Sequence, residues 1–313
     1  MNIIGIDVGA RRCHVATEQD VASLTTDQTL QLLATTPPAT IVLELTGAYG
    51  RLIAEHAYQA GHTVLIANDT DERAVRHLLR SQRKTDRIDA RYLRHLAALA
   101  PALPGPHPHL TPYEELRPLI QVRTLAHTWR YLVELRAAIK TRNRVPLTEP
   151  LPLIEPIDQL IEQYAQRTID AVPPTIMTLL QSIPGVTPAL AALLYATLGD
   201  ASRFRSRDGA VSYAGVAPRH APQSSTITGR KRRYRHAKLL ATHLHMYALK
   251  VARNPHRYGR IGATYQRVRQ RTDGPRALHA VKRHLIRITV GVLRSRTPHN
   301  PNHTSRAAGH GHA

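Results

Sequence analysis

The sequence predicts a mixed α/β domain at the N-terminus, a helical middle and a mostly α-helical C-terminal domain. Three observations carry this expectation. Over about the first hundred residues, short β-rich runs alternate with helical stretches. A proline-rich break, "PALPGPHPHLTP", closes that region at 101–112. Beyond it, apolar residues recur at helical spacing almost to the end. The expected divisions are 1–105, 113–172 and 173–298, with a tail at 299–313 of disordered composition.

In the first division, "NIIGIDV" and "HVAT" read as a β-hairpin across "GARRC". "TIVLEL" and "TVLIAN" are further strands, each ending in polar residues. Between them, "AYGRLIAEHAYQAG" has helical periodicity and closes at Gly61, a natural position just past a helix end. "DTDERAVRHLLRSQ" opens on acidic capping residues and continues as an amphipathic helix. The layer so built is antiparallel at its start and βαβ afterwards.

In the middle, "YEELRPLIQVRTLAHTWRYLVELRAAIKTRNRV" is helical apart from Pro118, and "LIEPIDQLIEQYAQRTIDAV" resumes after further prolines. The pair reads either as a coiled-coil-like arm or as packed bundle helices. The third division opens as helix, Gly/Pro turn and helix in "TIMTLLQSIPGVTPALAALLYATLGD". Its "IPGVTPALAALL" has the outline of a phosphate-gripping helical hairpin, but Thr187 stands where a second glycine is usual, so a packing turn is the other reading. "AVSYAGVAPRHAPQSSTITGRKRRYRHAK" is loop-rich and strongly basic, and basic helices follow around "AKLLATHLHMYALKVAR" and "GPRALHAVKRHLIRITVGVLRS".

Charge narrows the function classes. The chain of 313 residues carries 43 Lys and Arg against 22 Asp and Glu, a net +21. An excess of that size favours a polyanionic partner, since each base against a phosphate releases a counterion. No apolar run is long enough to span a membrane, and the N-terminus reads as a strand rather than a signal peptide. Cys13 is the single cysteine, which excludes an internal disulfide and thiolate metal clusters. The expected location is the cytoplasm, facing nucleic acid. With one Phe and one Trp, broad base-stacking platforms are not expected.

Four carboxylates stand out against this basic background. Asp7 ends the first strand in "GIDVG"; a turn-forming Asp is the plain alternative. Glu44 ends "TIVLEL" between apolar neighbours, where a charge needs an arginine or a metal. Asp86 and Asp89, in "QRKTDRIDAR", share a face if a helix starts near Thr85; a solvated helix start explains them equally. Brought together by a β/α sheet, the four would repel unless divalent cations such as Mg²⁺ or Mn²⁺ joined them. Two such ions can activate an attacking oxygen and stabilise a leaving one in phosphodiester chemistry. Arg83, Lys84 and Arg87 would then hold a nucleic-acid backbone beside them.

"GIDVGARRCHVA", "LELTGAYGRLIAEHAYQAGHTVLIAN" and "KTDRIDARYLRHLA" resemble the N-terminal DEDD, RuvC-like (RNase H-like) domain of the transposases typified by insertion sequence one-ten, relatives of the Piv DNA invertases. "IPGVTPALAALLYATLGDASRFRSRDGAVSYAGVAPRHAPQSS" resembles the family's second, transposase domain. The resemblance implies that Asp7, Glu44, Asp86 and Asp89 bind catalytic Mg²⁺. It further implies that Ser224, followed here by Ser225 where the family has glycine, is a nucleophile that joins DNA covalently and completes a composite site. Arg230, Lys231, Arg232, Arg233 and Arg235 would clamp the scissile phosphate. A structured bridge RNA pairing with donor and target DNA, and a dimer or tetramer, are also implied. Two rivals compete with this recombinase. One is a junction nuclease using water; the other is an actin-like phosphotransferase, which lacks a second Gly-rich phosphate loop here.

Overall fold

The N-terminal alternation resolves into strands β1 (Ile3–Val8), β2 (Cys13–Ala16) and β3 (Val21–Leu24), then helix α1 (Thr26–Thr35) and strand β4 (Thr40–Leu43). Helix α2 (Gly47–Gln59), strand β5 (Thr63–Ala67), helix α3 (Asp86–Leu99) and strand β6 (Leu110–Pro112) follow. The computed structural model describes residues 2–45, 47–67, 85–99, 110–142, 152–217 and 237–301. "DTDERAVRHLLRSQ", expected to be a helix, lies outside the described residues. The chain divides into two units, Met1–Arg117 and Pro118–Ala313.

In the first unit the strands form one sheet in the order β3-β2-β1-β4-β5-β6. The hairpin expected across "GARRC" pairs Val8 with Cys13. β3 extends it antiparallel, whereas β4 and β5 run parallel to β1. Ile4 and Ile6 alternate to one face and are buried, as are Ile41 and Leu43 on the neighbouring strand. Gly5 and Asp7 take the other face, over which α3 packs. On that side Val42 and Ala67 meet Tyr92, Leu93 and Leu96 of the helix.

The sequence reading gave no element between β2 and β4, and it missed two. β3 is short, and α1 announces itself only by a capping box, in which Thr25 and Gln28 each bond the other's backbone N–H. Leu110–Pro112, expected within the proline-rich break, is instead an edge strand antiparallel to β5. Its proline is tolerated because an edge strand has a side without ladder bonds.

Helix α4 (Tyr113–Arg142) continues past Pro118, the expected interruption. Pro118 lies in the second turn and forfeits one backbone bond, a loss that a helix of 30 residues absorbs. Helix α5 (Ile154–Asp170) carries Pro156 in its first turn, where the missing N–H costs nothing.

In the second unit, Val122, Ala126 and Trp129 of α4 join the main core. Helices α6 (Pro174–Gln181) and α7 (Pro188–Leu198) form the expected helix–turn–helix. Every residue of α7 from Leu190 to Leu198 is buried, so it is the central helix of this unit. Thr187 caps it by accepting from Leu190 N, and Tyr247 donates to Pro184 O at 2.9 Å. The turn is thereby a packed one.

Helices α8 (Arg207–Tyr213), α9 (Ala237–Arg253), α10 (Gly259–Arg269) and α11 (Gly274–Ser295) complete the described part. "AVSY", expected in a loop, is therefore the end of α8, capped by Ser206. α10 was not expected, because two glycines and few apolar residues hide it. The tail starts in order: His299 N donates to Ser182 Oγ at 2.7 Å, and residues 302–313 lie outside the described part.

Candidate active site

β1 and β4 end side by side. Ile6 pairs with Leu43, so the next residue on each strand is an acid, Asp7 and Glu44. The strand alternation gives Asp7 the face of Gly5, and Glu44 the face of Val42, which is the α3 side. Gly50 of α2 lets that helix close on this turn, since a Cβ there would meet Glu44 O at 2.9 Å.

α3 delivers the other two acids. Thr85 caps it: its carbonyl accepts from Asp89 N at 3.0 Å and its hydroxyl from Ile88 N at 3.4 Å. Asp86 and Asp89 thus occupy the first turn, where unpaired N–H groups and the helix dipole favour negative charge. The helix is brought down onto β1 by Gly5, where a Cβ would lie 2.2 Å from Ala90 O and 2.6 Å from Arg94 N. Only hydrogen fits there. Arg94 Nε donates to Ile3 O at 3.2 Å and Arg87 Nη2 to Val21 O at 2.6 Å, which fastens α3 along the sheet. Arg87, expected to hold nucleic acid, is therefore also a tether; a guanidinium has further donors for a second partner.

Asp7 stands opposite His14 in the hairpin register. One ligand atom from each of Asp7, His14 and Asp86 lies within 4.8 Å of the others, the single group of this kind among the described residues. Glu44 and Asp89 are not members of that mutual group. Glu44 is half-buried at the end of β4, and Asp89 is buried, 6% exposed, one turn along α3 from Asp86. Sequence reasoning missed His14. The usable signal was the hairpin itself, since a four-residue connection pairs Val8 with Cys13 and so puts residue 14 across from residue 7.

These residues fit a divalent cation. His14 Nδ1 is buried with no hydrogen-bond partner in the structure, and it belongs to the side chain that joins two carboxylates. Carboxylate oxygens suit Mg²⁺ and Mn²⁺, while an imidazole favours the later transition metals and tips the balance towards Mn²⁺. Arg83 and Lys84, just before α3, lie outside the described residues. So do Ser224 and Ser225, and Arg230, Lys231, Arg232, Arg233 and Arg235.

A mixed α/β unit with acids at adjoining strand ends and in the first turn of a crossing helix offers a set of carboxylates that could hold a metal ion. Two family profiles place it further. One, described as Transposase and of the DEDD type of insertion sequence IS110, matches residues 4–151; the other, described as Transposase IS116/IS110/IS902 family, matches residues 177–266. Together they span most of the chain, which belongs to the IS110-type family of insertion-sequence transposases and is a DNA recombinase by class. Two proteins named pilin gene-inverting protein, from Moraxella lacunata and Moraxella bovis, are each 28% identical over 269 residues, covering 82% of this chain and 81% of theirs. No helix among the described residues is long and apolar enough to cross a membrane.

Proposed function

We propose that the first unit is an RNase H/RuvC-like catalytic domain in which Asp7, Glu44, Asp86 and Asp89 bind Mg²⁺ or Mn²⁺, that Ser224 is the nucleophile for strand exchange, and that a structured bridge RNA selects the DNA. The grouping of Asp7, His14 and Asp86 within 4.8 Å carries the reading. The strand order, with an antiparallel hairpin leading into parallel strands, supports the fold assignment. The relatives named for inverting a pilin gene support an exchange between two DNA sites for this chain as well.

A divalent cation, when bound, supplies Lewis-acid polarisation of the scissile phosphate. Asp7 and Asp86 would hold it directly, with His14 beside them; Glu44 and Asp89 complete the anionic set. Ser224 Oγ attacks phosphorus, an Oγ–P bond forms, and the bond to the departing strand oxygen breaks as that oxygen takes up a proton. The number of phosphoester bonds is conserved, so rejoining to a second strand needs no outside energy source. Arg230, Lys231, Arg232, Arg233 and Arg235 flank Ser224 in sequence and offer charge-assisted bonds to the phosphate. Arg83, Lys84 and Arg87 hold the backbone beside the acids. Two protomers or more are needed, because exchange cuts more than one strand.

The test uses full-length protein, the non-coding RNA that flanks its gene, Mg²⁺ or Mn²⁺ and labelled junction DNA. A denaturing gel should show a protein–DNA adduct that requires the RNA and disappears in Ser224→Ala. Cutting that persists in Ser224→Ala with no adduct would replace the serine with water and make the protein a metal-dependent nuclease.

A further inference from the structure

The second unit contains a cavity of about 560 Å³ between α8, α10, α11 and the segment after α11. Its walls carry three guanidinium groups, Arg207, Arg260 and Arg287, and two imidazoles, His284 and His299. None of the residues that form its described walls is acidic. Asp208 pairs with Arg287 through Nε at 2.8 Å and Nη2 at 2.7 Å. The guanidinium groups are concentrated, not dispersed, and like charges gathered in a concave, partly desolvated space favour an anion.

The walls register that field. His284 Nδ1 lies 2.8 Å from Thr264 Oγ1, and burial, followed by Arg287, Arg267, His299 and Arg260, holds its imidazole below the usual range. His299 is pushed down by burial and by Arg260. Gly291 leaves room on α11 for Arg207, whose Nη2 lies 3.5 Å from where a Cβ would stand. Arginines suit this role, since a planar fork of donors matches phosphate oxygens.

We infer that this cavity grips a phosphate of a polynucleotide backbone, a nucleic-acid contact of the second unit separate from the proposed one at Ser224 and the basic run after it. The volume exceeds what one phosphate ion fills and accommodates the sugar on either side of it. That the phosphate comes from a polynucleotide rests on the recombinase reading; the positively charged cavity does not.

Full-length protein is titrated with fluorescent duplex DNA and, in parallel, duplex RNA over a range of salt concentrations. Arg207→Gln combined with Arg260→Gln should weaken binding about tenfold and lower the slope of log affinity against log salt by about 0.9, the value of one lost phosphate contact. Gly291→Leu removes no charge but fills the cavity, and should weaken binding similarly. A loss on both duplexes, or on one of them, supports the contact and identifies the strand it serves. Folded variants that keep the wild-type slope overturn it. So does stabilisation of the wild type, but not of the double variant, by inorganic phosphate alone with polynucleotide binding unchanged, which would mark a site for a free anion. Asp86→Asn runs alongside: it reports on the catalytic reading without touching the cavity, so either reading can fail alone.

Discussion

Asp86 and His14 make the sharpest test of the candidate active site at the level of single side chains. Asp86→Asn removes a charge from an exposed first-turn position while keeping the shape, so the melting temperature should move by no more than about 2–3 °C. DNA cleavage should nevertheless be abolished; strand cutting at the wild-type rate would take Asp86 out of the mechanism. His14→Ala should lower Mn²⁺ affinity by about 10–100-fold, read by calorimetric titration of the protein alone. Unchanged Mn²⁺ binding would leave His14 as a strand residue and nothing more. Asp7 and Glu44 stand out in the sequence because each ends an apolar run, and Asp86 and Asp89 because they sit three residues apart among bases. His14 was not, because its meaning comes only from the residue across the hairpin.

At the level of elements, the approach of α3 to β1 depends on one absent side chain. Gly5→Ala would drive a methyl to within about 2–3 Å of backbone atoms of Ala90 and Arg94. The helix must shift or tilt, at a cost of about 1–3 kcal/mol or more by overpacking. Asp86, one turn before Ala90, would move with it, so cleavage should fall further than stability alone explains; urea denaturation and a cleavage assay on the same sample separate the two losses. A second joint lies at the start of α4. Arg117 pairs with Glu55 at 2.7 Å, and Tyr113 and Gln59 donate to the same carboxylate. The Arg117 hydrogen bond outweighs burial and holds Glu55 below the ordinary range. Because its folded value is depressed, its contribution is complete above the unfolded value near pH 4.3 and is lost as pH falls through the folded one. Both side chains are partly exposed, so the effect should be below about 1 kcal/mol, visible as a flatter acid limb of stability in Glu55→Gln. Helices with continuous periodicity, such as α9 and α11, were readable in place and kind. β6 and the passage of α4 through Pro118 were not, since proline signals a break locally while tertiary pairing decides whether one occurs.

For the whole molecule, a net charge of +21 is the dominant fact about how it meets a partner. Affinity for DNA should fall linearly with log salt and lose several orders of magnitude between low and physiological ionic strength. A flat response would mean that the basic residues do not face phosphates. The charge is visible in composition, but its concentration is not. Arg207, Arg260 and Arg287 are scattered over eighty residues and become one wall only when α8, α10 and α11 pack together. In the same way the two family matches follow the chain in order, one in each half, while the close packing that would make either half work is invisible in a string of letters.

Gly5 has a consequence for how a related sequence is read. A sequence of this kind is readily judged by whether Asp7, Glu44, Asp86 and Asp89, the proposed metal ligands, survive. A single methyl at position 5 would pass that inspection while lifting the crossing helix off its strand. A chain with every proposed ligand intact would then hold them out of place.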